Sequence, residues 1–135
     1  MEYEGRQHPE LSQELPVTVA HARARVRELV ESIPPERAGT DEGLTDILLV
    51  TSELATNAIR HGGGLTGFGV RMEADGILLT VADASARMPV ALLREEGYAG
   101  PGGFGWPLIC RLAKDVAITP LPDGGKSIEV LMPLR

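Results

Sequence analysis

The chain has 135 residues, enough for one domain with a substantial core. Thirteen basic against 19 acidic residues leave a net charge of −6, which excludes the basic footprint of a general nucleic-acid binder. Aromatic residues make up only 4% of the chain, too few for a stacking platform on single strands. Cys110 is the only cysteine, so no disulfide can form within the chain, and a reducing cytoplasm is the expected compartment. The opening Met1-Glu2-Tyr3-Glu4-Gly5 is acidic and is no signal peptide. No run approaches the ~20 apolar residues of a membrane span, so no membrane partner is expected.

Residues 1–15 are polar and aperiodic, and are expected to form an arm or an edge strand. Between Val17 and Ile33, apolar residues at Val19, Ala22, Val26, Val30 and Ile33 keep helical spacing. Thr18 is a candidate N-cap, and Pro34-Pro35 stops the helix. Arg23, Arg25 and Arg27 read as a solvated face, with contact to a partner as the alternative.

Thr40 caps a second, longer helix whose first turn carries Asp41 and Glu42. Ile47, Val50, Leu54 and Ala58 mark its core face, and Gly62-Gly63-Gly64 ends it. Two alternating segments follow, Phe68-Val70-Met72 and Ile77-Leu79-Val81, with Asp75-Gly76 as the hairpin signal. The second segment runs into Asp83. Residues 84–105 are glycine-rich and aperiodic, the composition of a lid, with one or two helical turns expected at Ala91–Glu96. Trp106–Lys114 reads as a short helix. Val116–Thr119 and Ser127–Met132 form a last hairpin around Asp123-Gly124-Gly125. Helices on one face of a mixed, mostly antiparallel sheet make an α+β two-layer sandwich over residues 16–135.

One stretch stands apart. In Ser52-Glu53-Leu54-Ala55-Thr56-Asn57-Ala58-Ile59-Arg60-His61-Gly62, the residues Glu53, Asn57 and His61 fall four apart. Each four-residue step turns a helix by about 40° beyond a full turn, so all three share one flank. A carboxylate, an amide and an imidazole in line suit the handling of phosphate and metal. A solvated flank is the plain alternative. A zinc set of Glu53, His61 and His21 lacks the dense spacing of zinc sites.

This stretch, followed by Asp83 at a strand end and by Gly103-Phe104-Gly105 before a helix, resembles the GHKL (Bergerat-fold) ATPase superfamily. Within it, the chain looks most like the small actinobacterial anti-sigma-factor-like serine kinases, whose consensus reads "SELVTNAVRHG". The resemblance covers nearly all of residues 15–134 and implies the Bergerat version of the two-layer fold, with a lid at about 84–103.

By that resemblance Asn57 ligates Mg²⁺ on the phosphates of ATP, and Glu53 is the general base. His61 lies near the nucleotide, and Asp83 accepts the adenine amino group. Gly103 and Gly105 approach the phosphates, and Ser127 of Gly125-Lys126-Ser127 helps hold the adenine site. Lys126 itself reads as a solvated turn residue. The resemblance further implies a serine kinase acting on an anti-anti-sigma antagonist, with a sigma factor as second partner and a homodimer formed through the sheet.

The chain departs from the pattern in four places. Ser85 stands where the superfamily has a glycine, Phe104 where it has arginine, Trp106-Pro107 stiffens the helix start, and Glu129 stands where tryptophan is expected. A non-catalytic interaction module is therefore the alternative, against which the retained Glu53 counts. A detached two-component catalytic domain would need a phosphoacceptor histidine, for which His21 is a poor candidate.

Overall fold

The computed structural model describes residues 18–87 and 105–135. The expected arm at 1–15, the bulk of the expected lid, its short helix at 91–96 and Gly103 lie outside the described residues.

Helix α1 (Val19–Glu31) opens on Thr18, whose hydroxyl accepts the His21 N–H at 3.0 Å. Its apolar stripe, Ala22, Val26 and Val30, is buried. A 3-10 turn at Pro35–Arg37 follows the proline stop. Helix α2 (Asp41–His61) is capped by Thr40, which accepts the Gly43 N–H at 3.0 Å and donates to the Arg135 carbonyl at 2.7 Å. Ile47, Val50, Leu54 and Ala58 are buried, the face that the spacing predicts. Each of the larger three stabilises the fold by about 1.5–3 kcal/mol through apolar burial. The hydroxyl of buried Thr51 donates to Ile47 O at 2.8 Å, so it carries no orphaned donor into the core. At the far end Gly63 takes φ 75°, and the Gly64 N–H returns to Ala58 O at 3.1 Å.

Strand β1 (Leu65–Glu73) and strand β2 (Gly76–Asp83) form an antiparallel hairpin. Its turn falls on Ala74-Asp75 rather than Asp75-Gly76, because Gly76 already pairs with Glu73 as the first residue of β2. Helix α3 (Gly105–Leu112) leads into β3 (Asp115–Pro120) and β4 (Lys126–Met132). The sheet order is β1-β2-β4-β3, and every described pairing is antiparallel.

Alternation decides the two faces. Ile77, Leu79 and Val81 of β2 and Ile128, Val130 and Met132 of β4 are buried beneath the helices. In register, Val81 lies opposite Ile128 and Asp83 opposite Lys126. Helix α2 packs against α1 on one side, α3 on the other, and β2 below. The result is the α+β two-layer sandwich, with α2 running through its centre.

Candidate functional site

The site is organised along α2. Glu53 and Asn57 are half-buried on one flank, and neither side chain has a hydrogen-bond partner among the described residues. His61 is exposed at the last turn. From Glu53 to Gly62 the helix rises about 13 Å, the order of length of a nucleoside with its phosphate chain.

At the Glu53 end, the first turn of α3 closes in. Gly105 is buried, and a Cβ there would strike Glu53 Oε1 and lie 3.1 Å from Glu53 Cδ. Only a glycine brings the N–H groups of this turn so close to the carboxylate flank. Pro107 sits in the same first turn, where its missing N–H costs little. The adjacent Trp106 is 3% exposed, and its indole N–H has no acceptor among the described residues.

At the other end, Asp83 reaches the close of α2. Its carboxylate packs on Gly62, where a Cβ would fall 2.6 Å from both Cγ and Oδ2. The Ala84 N–H bonds to Gly62 O at 3.0 Å, and the Ser85 N–H bonds to Asp83 Oδ1 at 3.0 Å. A register shift between Leu65 and Gly67 in β1 lies beside Asp83, where bulges commonly re-aim a strand end.

Lys126 corrects the sequence-based expectation of a solvated turn residue. It is 6% exposed, and its ammonium lies 2.9 Å from Asp83 Oδ2 and 3.0 Å from Oδ1. It also donates to Ser85 O at 3.1 Å. The cause is register: Lys126 begins β4 on the same inward face as Ile128 and directly opposite Asp83. A buried carboxylate beside the partly negative end of a helix requires a cation, and Lys126 supplies it. Alternation then turns Ser127 to the outward face, opposite Ala82. Ser127 therefore lies on the alternate face from Asp83 and Lys126.

Two arginines also depart from the solvated reading. Arg23 donates to Ser52 Oγ at 2.8 Å and to Leu48 O at 3.4 Å, tying α1 to α2 just before Glu53. Arg25 lies over the Phe68 ring, 5.4 Å from its centroid. Helical spacing alone does not reveal these cross-element contacts, although the position of Ser52 beside Glu53 was visible.

Among the described residues no three His, Cys, Asp or Glu side chains cluster as metal ligands. Along the α2 flank, the amide of Asn57 and the carboxylate of Glu53 have no hydrogen-bond partner among the described residues. That set fits a hard cation shared with substrate phosphate oxygens rather than a metal held by protein alone. No described helix is long and apolar enough to cross a membrane.

The model of the histidine kinase-like ATPase domain family matches residues 15–131, and the chain belongs to that family. No curated protein matches the chain. Family membership supports an ATP-binding module of the GHKL type.

Proposed function

We propose that this ATP-binding module is an anti-sigma-factor-like protein serine kinase that phosphorylates a serine of an anti-anti-sigma antagonist and thereby regulates a sigma factor. The observation that carries the reading is the convergence on α2. The Glu53 carboxylate has no hydrogen-bond partner among the described residues and abuts the α3 N-terminus at Gly105, while the helix's far end abuts Asp83 at Gly62. One helix thus joins a phosphate-facing end to a base-facing end.

In the reaction, the acceptor serine oxygen bonds to the γ-phosphorus as the bond to the β,γ-bridging oxygen breaks, and ADP leaves. Glu53 takes the serine proton. Asn57 would hold Mg²⁺, which when bound neutralises charge on the phosphates. The N–H groups at the start of α3 orient the phosphate chain, since this chemistry depends on positioning and electrostatics. Asp83 faces the amino group of the base. His61, exposed at the end of the same flank, lies at the mouth of the site.

Phosphate transfer from labelled ATP with Mg²⁺ to a cognate antagonist tests the proposal, comparing the native chain with Glu53→Gln. The expected result is label on the antagonist's serine with the native chain, and at least a hundredfold less with Glu53→Gln at unchanged ATP affinity. Equal transfer by both chains would remove Glu53 from the chemistry. No transfer by the native chain to any antagonist would leave an ATP-binding module without kinase activity.

A further inference from the structure

We propose that Lys126 is a specificity-determining residue of the nucleotide site, acting as an internal competitor for the carboxylate that reads the base. The inference rests on the nucleotide reading above and adds to it a residue that the site's resemblance left in solvent.

A carboxylate offers about four lone-pair positions. Asp83 Oδ1 accepts from the Lys126 ammonium and from the Ser85 N–H, each at 3.0 Å. Oδ2 lies 2.9 Å from the same ammonium as an ion-pair contact and packs beside Gly62. Lys126 donates to Asp83 Oδ1 and Ser85 O, which leaves one of its three N–H groups without an acceptor among the described residues. Both side chains are more than nine-tenths buried.

An amino group arriving at Asp83 therefore meets a carboxylate already holding an ammonium. It must displace or share that cation, which weakens selection for a 6-amino purine. A 6-oxo purine meets the opposite situation, because its carbonyl oxygen accepts from the same ammonium. The pair flattens the discrimination that an unoccupied carboxylate would impose. Removing the lysine restores it.

ATP and inosine triphosphate separate this role from others. They carry the same triphosphate and differ at the 6-position of the purine and at the adjacent N1, an acceptor in ATP and an N–H donor in inosine triphosphate. A general loss of positive charge near the phosphates would weaken both equally, and a loss of stability would also leave their ratio unchanged. The variant is Lys126→Thr, whose hydroxyl still gives Asp83 a donor and whose branched side chain suits the start of a strand. Lys126→Arg keeps a cation opposite Asp83 as the control, and thermal melts establish that each chain is folded.

Calorimetry with Mg²⁺ gives the two affinities for each chain. The ATP-to-inosine-triphosphate affinity ratio is expected to rise at least tenfold in Lys126→Thr, about 1.4 kcal/mol, and to stay near the native value in Lys126→Arg. An unchanged or lowered ratio in a folded Lys126→Thr chain that binds ATP would overturn the inference and leave the nucleotide reading intact. Binding of neither nucleotide by any of the three chains would overturn the nucleotide reading, and the inference with it.

Discussion

Replacing Gly62 by alanine probes the contact that joins α2 to Asp83. An alanine Cβ would sit 2.6 Å from Asp83 Cγ and Oδ2 and 2.8 Å from its Cβ. Ordinary carbon contacts need about 3.5–4.0 Å, so the shortfall is about 1 Å. Asp83 has little room to retreat, because Lys126 and the Ser85 N–H hold its oxygens at 2.9–3.0 Å. The backbone is fixed as well, through the 3.0 Å bond from Ala84 N–H to Gly62 O. Gly62 has φ −101° and ψ 8°, which alanine tolerates, so the backbone preference for alanine works in the opposite direction by up to about 1 kcal/mol.

Overpacking costs about 1–3 kcal/mol. Disturbing a buried ion pair costs up to about 3–5 kcal/mol when one partner is left alone. The net expectation is a loss of about 2 kcal/mol, or roughly 6–10 °C in Tm for a chain of this size. Urea denaturation with matched slopes measures it. A double-mutant cycle with Asp83→Ala isolates the cause. The penalty of Gly62→Ala should fall once the Asp83 carboxylate is gone, although the 2.8 Å contact with the residue-83 Cβ remains, giving a coupling of at least about 1 kcal/mol. A Gly62→Ala chain as stable as the native one, or the same penalty in both backgrounds, would refute the close-approach reasoning.

Three further expectations follow from the same contacts. Gly105→Ala forces the Glu53 carboxylate aside; phosphate transfer should fall at least about tenfold (~1.4 kcal/mol) while urea denaturation shifts by less than about 1 kcal/mol, because the new Cβ clashes only with the far end of a flexible side chain, and an unchanged transfer rate would contradict the contact. Thr40→Ala removes the α2 cap and the bond to Arg135 O, so it should cost about 1–2 kcal/mol in the same denaturation assay. An Arg23→Ala and Ser52→Ala cycle should show about 1 kcal/mol of coupling, whereas a solvated Arg23 would show none.

The helices were legible because their information is local. Thr18 and Thr40 are caps by chemistry, and the apolar stripe of α2 is set by a period that the sequence carries openly. Glu53 and Asn57 could be placed on one flank for the same reason. The other half of the site depends on strand register, which joins residues 43 positions apart in Asp83 and Lys126. Nothing near Lys126 in the chain marks it as buried: it follows two glycines in what reads as a turn. Its inward face follows from pairing opposite Asp83, and the same alternation turns Ser127 away. Arg23 is similar, since its partner Ser52 lies on another helix.

The account rests most directly on ATP binding through Asn57. Calorimetric titration of the native chain and Asn57→Ala with ATP and Mg²⁺ measures it. The expected result is saturable heat for the native chain and an affinity at least tenfold lower for Asn57→Ala, with both chains equally folded. No heat from the native chain up to millimolar ATP, or equal affinity for the two chains, would contradict it.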